Sequence, residues 1–105
     1  MNIKKFELGW KYNERSILAK GTKEELKILQ EAVYKGVGTP YTYNRLSILL
    51  SKERKIKEAV DVCEKYQKIM NKRLEFRKKK GYTEDISSTE KNIIKRLNNL
   101  QSKLK

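Results

Sequence analysis

Between Thr39 and Tyr66 apolar residues recur three and four places apart, and that period commits the middle of the chain to α-helix. Tyr43, Leu46 and Leu50 form one stripe, which Ile48 and Leu49 widen. The polar run Lys52-Glu53-Arg54-Lys55 interrupts it, and Ile56, Ala59, Val60, Cys63, Tyr66 and Met70 take it up again. Two amphipathic helices joined by so short a turn pack antiparallel. The pair alone leaves apolar surface uncovered, so the flanking segments must complete the core.

Those segments carry their own signals. Thr22 to Gly36 predicts a helix: Thr22 and Glu25 stand at capping-box spacing, and Leu26, Leu29 and Val33 follow as a stripe, with Ile28 and Ala32 beside it. Gly36 supplies a left-handed stop. Thr39 caps the next helix, and Pro40 takes its first position, where a missing N–H costs nothing. The helix beginning near Ile56 meets no stop signal before Gly81. After a connection at Gly81 to Ile86, Ser87 and Glu90 form a second capping box. Ile93, Leu97, Leu100 and Leu104, flanked by Ile94, make a seam expected to fold back on the preceding helix as an antiparallel hairpin. Self-association through that seam is the alternative. Residues 1–21 read differently. Phe6, Leu8, Trp10 and Tyr12 alternate with Glu7, Gly9 and Lys11, a period of two that predicts an extended segment. Its aromatics either plug the end of the helical core or form an exposed recognition strip.

Tyr43, Leu46, Ser47 and Leu50, followed after the expected gap by Ala59, Cys63 and Tyr66, resemble one tetratricopeptide (TPR) unit over about residues 39–66; the Glu58-Ala59 pair is also similar to that family. Tyr66 departs from the pattern, standing where a small residue is usual and where it would push the next helix outward. No proline ends the second helix, and no second copy is detectable. The resemblance implies a scaffold that binds peptides or proteins and carries no catalytic residues. The expected architecture is all-α: a small four-helix TPR-like bundle with a long third helix. One domain spans 1–105, divided into an extended aromatic N-terminal segment (1–21), the TPR-like core (22–66) and a basic helical hairpin (67–105).

Charge narrows the function. The chain carries 26 Lys/Arg against 13 Asp/Glu, a net +13, and no histidine. Residues 65–105 hold 13 basic residues against Glu75, Glu84, Asp85 and Glu90, so +9, while residues 1–64 hold 13 against 9, so +4. An AT-rich genome would explain much of the lysine, and basic residues at a helix C-terminus complement its dipole. The functional reading is an anionic partner met by Lys72, Arg73, Arg77, Lys78, Lys79, Lys80, Lys95 and Arg96. Phe76 and Tyr82 flank the densest run and suit stacking on single-stranded nucleic acid. With Phe6, Trp10 and Tyr12 they are also candidates for protein contact.

Without histidine the commonest general base and metal ligand are missing, and a single cysteine, Cys63, builds neither a thiolate metal site nor a disulfide framework. No catalysis, metal or cofactor is therefore expected. No run has the length of a membrane span, and the N-terminus lacks a signal-peptide core, so a soluble cytoplasmic protein is expected. The expected function is a non-catalytic interaction protein that binds and modulates a larger protein or ribonucleoprotein with an acidic surface. In style it resembles the accessory regulators and inhibitors of bacteria or their phages. The alternative is a DNA- or RNA-binding protein acting through the 65–105 hairpin, with membrane-surface binding a lesser option.

Overall fold

A computed structural model describes residues 3–82 and 86–104, with side chains from Glu7 onward. Five helices follow one another: α1 (Ile3–Leu18), α2 (Lys23–Tyr34), α3 (Pro40–Lys52), α4 (Ile56–Lys79) and α5 (Ser88–Lys103). Each packs on the next, and α5 also returns to α3. The fold measures 43 × 39 × 20 Å. Its short dimension holds two layers of helix at about 10 Å each. Every helix therefore keeps a face toward solvent.

The main core is built from Leu29 of α2, Tyr43, Leu46 and Leu50 of α3, and Ile93, Leu97 and Leu100 of α5. These surround the buried face of α4, formed by Ala59, Val60, Val62, Cys63, Tyr66 and Met70. The predicted stripes of the second, third, fourth and fifth helices are thus the ones that pack. The long helix expected from Ile56 is α4, with 24 residues, and the hairpin expected with it is α4 against α5. Ile93, Leu97 and Leu100 are buried within this chain, while Leu104 is half exposed.

The N-terminus overturns the prediction. Residues 3–18 are helical, which makes five helices rather than four, and no strand occurs among the described residues. Among the described side chains of α1, Gly9, Tyr12 and Ser16 are buried and Asn13 is half-buried, a spacing of three and four. The alternating aromatics suggested period two because, of the residues that close this interface, only Tyr12 is large, while Gly9, Asn13 and Ser16 are small or polar. Gly9 lies against the Val37 carbonyl, where an added Cβ would sit 2.7 Å from the oxygen. The Asn13 Oδ1 accepts from the hydroxyls of Thr39 (3.0 Å) and Thr42 (3.2 Å). Tyr12 joins Ala32 and Val37 in a small second core that fixes α1 to the α2–α3 corner.

Two helix starts follow their predicted signals and one does not. Ser87 and Glu90 close a reciprocal box at α5, and Thr39 does so at α3 with Thr42. At α2 the Thr22 hydroxyl caps no amide; it donates to the Ala19 carbonyl at 2.5 Å. Glu25 reaches past it to the Gly21 amide (3.1 Å). Arg45 draws the carboxylate there, donating from Nε at 2.6 Å and Nη2 at 3.1 Å. Glu25 is buried, and this guanidinium outweighs burial to hold its carboxyl below the usual range.

Candidate functional site

The cations singled out in the sequence divide by residue type. Two arginines are turned inward as brackets between helices. Arg73 on α4 grips Glu90 on α5 with two nitrogens, Nη1 to Oε2 at 2.7 Å and Nη2 to Oε1 at 3.1 Å. The Tyr66 hydroxyl donates to the same Oε2 at 2.5 Å, and the Ser87 amide to Oε1 at 3.0 Å. Burial pushes the Glu90 carboxyl up, but Arg73, Tyr66 and the Ser87 amide outweigh it and hold the group at about 2. The same burial and the neighbouring carboxylate push the Tyr66 phenol far above its ordinary range. Tyr66, the residue that breaks the repeat pattern, stands against Tyr43 with ring centroids 5.2 Å apart and ties α4 to α5 through its hydroxyl.

Arg96 plays the matching part between α5 and α3. Its Nη1 donates to the Asn44 Oδ1 (2.7 Å) and the Ser47 Oγ (3.1 Å). No carboxylate lies within ion-pair distance of it among the described residues, and burial pushes the guanidinium down from its usual range. Arg77, half-buried, lies over the Tyr82 ring at 5.7 Å.

The lysines do the opposite. Lys72, Lys78, Lys79, Lys80 and Lys95 are all exposed, and the structure adds Lys65, Lys68 and Lys91 to them. Lys65, Lys68, Lys72 and Lys79 recur at helical spacing on the solvent side of α4, opposite Ala59, Cys63 and Met70. Phe76 lies in the same row, 59% exposed, with the Lys80 Nζ 5.9 Å from its ring centroid. On the flank of the hairpin, Lys91 and Lys95 border a shallow groove floored by Met70, Ile86 and Ile94 and closed by Asn98.

The aromatic candidates separate likewise. Tyr82 is 60% exposed at the end of α4 and Trp10 is 54% exposed on α1. Tyr12 is buried, with Arg15 and Lys35 over its ring at 5.4 and 5.6 Å. The Phe6 side chain lies outside the described residues. Sequence reasoning missed Asn44 and Ser47, which hold Arg96, and the lysines at 65, 68 and 91. A signal for the brackets was present. In a chain with 26 basic residues and only six arginines, three of the six, Arg45, Arg73 and Arg96, stand where a planar, multidentate cation meets acceptors on another helix.

Among the described residues no cluster of His, Cys, Asp or Glu could hold a metal ion, and no helix is long and apolar enough to cross a membrane. Comparison with protein-family models, curated proteins and solved structures finds no match for this chain. The class that fold and surface define is a thin all-α assembly with an arginine-bracketed hairpin and a lysine-covered exterior.

Proposed function

We propose that this chain is a non-catalytic interaction protein that binds an acidic segment of a larger protein and modulates it. The observation that carries the reading is the groove between α4 and α5, where an apolar floor of Met70, Ile86 and Ile94 runs beside Lys91 and Lys95. An apolar side chain followed by carboxylates about one helical turn away would satisfy both features at once. Neither lysine forms an ion pair among the described residues. The tetratricopeptide-like order of α3 and α4, with α5 laid across both, belongs to this proposal as its scaffold.

Affinity capture from a nuclease-treated lysate tests it, comparing the native chain with an Ile94→Glu, Lys91→Glu, Lys95→Glu variant whose fold is checked by circular dichroism. An acidic protein retained by the native chain and lost by the variant is the expected result. Recovery of nucleic acid alone, or of the same proteins by both baits, would defeat the proposal.

A further inference from the structure

The outer row of α4 is a second surface, with a different chemistry from the groove. Lys65, Lys68, Lys72 and Lys79 are exposed along it, spaced over 14 residues, or about 21 Å of helix. Ile69, 48% exposed, and Phe76 interrupt the lysines. Tyr82 follows just beyond the helix end with Arg77 across its ring. Asp61 precedes the row and Glu75 borders it.

Ordinary helix physics covers only part of this arrangement. The negative end of the α4 dipole favours cations in the last turn, where Arg77, Lys78 and Lys79 stand. That influence fades within one turn. Lys65, Lys68 and Lys72 lie farther back, so the dipole does not account for them. Nor does it account for Phe76, a large aromatic ring left toward solvent in the middle of a cationic row.

We infer that the outer row of α4 binds single-stranded nucleic acid, with phosphates along Lys65, Lys68, Lys72 and Lys79 and an unstacked base on Phe76. Lysines one helical turn apart follow a backbone without reading sequence, and an aromatic ring accepts any base face. The Lys80 ammonium, 5.9 Å from the ring centroid, adds a positive charge for the phosphate of the base that stacks on the other face of Phe76. A duplex buries its base faces and cannot use Phe76, so the site discriminates single strand from double strand. An acidic protein surface would satisfy the lysines and leave the exposed ring unused.

Fluorescence anisotropy with labelled dT20, the matching duplex and poly-glutamate tests the assignment across a salt series. Phe76→Ala should weaken dT20 binding roughly tenfold while changing duplex binding less than twofold. Lys65→Gln, Lys68→Gln and Lys72→Gln together should flatten the logarithmic salt slope by about 2, at about 0.7 per phosphate on a single strand. Both variants replace exposed side chains, and circular dichroism confirms that each stays folded. The groove variant Lys91→Glu, Lys95→Glu with Ile94→Glu should bind dT20 with its salt slope reduced by less than the triple α4 variant. The inference is overturned if dT20 binding ignores Phe76→Ala, if the duplex competes equally with dT20, or if poly-glutamate binds with the same affinity and the same dependence on α4.

Discussion

Glu90→Gln isolates the electrostatic part of the α4–α5 joint. Glutamine is also accepted in a capping box, so the start of α5 survives, and the side chain keeps nearly the same volume. What disappears is the charge that Arg73 and Tyr66 address. The native carboxyl stands at about 2 rather than 4.5, a difference worth about 3 kcal/mol of stability at neutral pH. Arg73 is 38% exposed, so water partly replaces the carboxylate once it is gone. A loss of about 2 kcal/mol is therefore expected. For a chain of this size that lowers Tm by about 8–16 °C at pH 7. The sign of the pH dependence follows from the depressed folded value. The contribution is complete above pH 4.5, declines as pH falls from 4.5 toward about 2, and is absent below that. Thermal melts of both chains followed by circular dichroism between pH 7 and pH 2 should converge as the acid limit is approached. Equal Tm values at pH 7, or parallel curves through the acid range, would refute the role given to the Glu90 charge.

Two further substitutions test the joints at either end of the core. Gly9→Ala places a methyl group against the Val37 carbonyl and should cost about 1–3 kcal/mol, less the small gain in helix propensity. Hydrogen exchange should speed up in α1 while the buried amides of α3 to α5 stay protected; uniform protection would show that α1 does not depend on this approach. Arg54, in the α3–α4 turn, holds a left-handed backbone at φ 62°, which costs a non-glycine residue about 1 kcal/mol. Arg54→Gly should raise the urea midpoint slightly, and a lowered midpoint would mean that the Arg54 side chain contributes more than its backbone strain costs.

The residues that made α2 through α5 legible are large and apolar and sit at helical spacing, so the pattern and the packing coincide at Leu29, Leu46, Leu50, Tyr66 and Leu97. Helix α1 was illegible for the converse reason. Tyr12 is the one large side chain that closes its interface; the rest is closed by a hydrogen where Gly9 has no side chain and by the Asn13 amide, while Trp10 stays half outside. Apolar periodicity does not register an interface built by close backbone approach. The cationic stretch was visible as charge, but the separation of its members was not. Arg73 and Lys72 are neighbours in sequence, yet one faces Glu90 across the hairpin and the other faces water. Which neighbour turns inward depends on what the opposing helix offers at that height, and no local pattern records that.

That separation decides how the positive charge should be interpreted. If the basic residues were only the product of a lysine-rich composition, arginine and lysine would be distributed alike. Instead Arg45, Arg73 and Arg96 each bridge two helices, to Glu25, to Glu90, and to Asn44 with Ser47, whereas the lysines of the α4 row and the groove are exposed. A guanidinium suits the first task because its rigid fork satisfies two acceptors at once, and an ammonium suits the second because it stays hydrated until a partner strips the water. The bracketed arginines are therefore charge already spent on the fold. The charge left toward solvent is carried mainly by lysine, with Arg15 and Arg54 also exposed, and on the hairpin it stands beside Ile94 in the groove and beside Phe76 on α4. Each face combines charge with an apolar or aromatic group, a pairing that solubility alone does not require. It is on this pairing, more than on the size of the net charge, that the proposed binding rests.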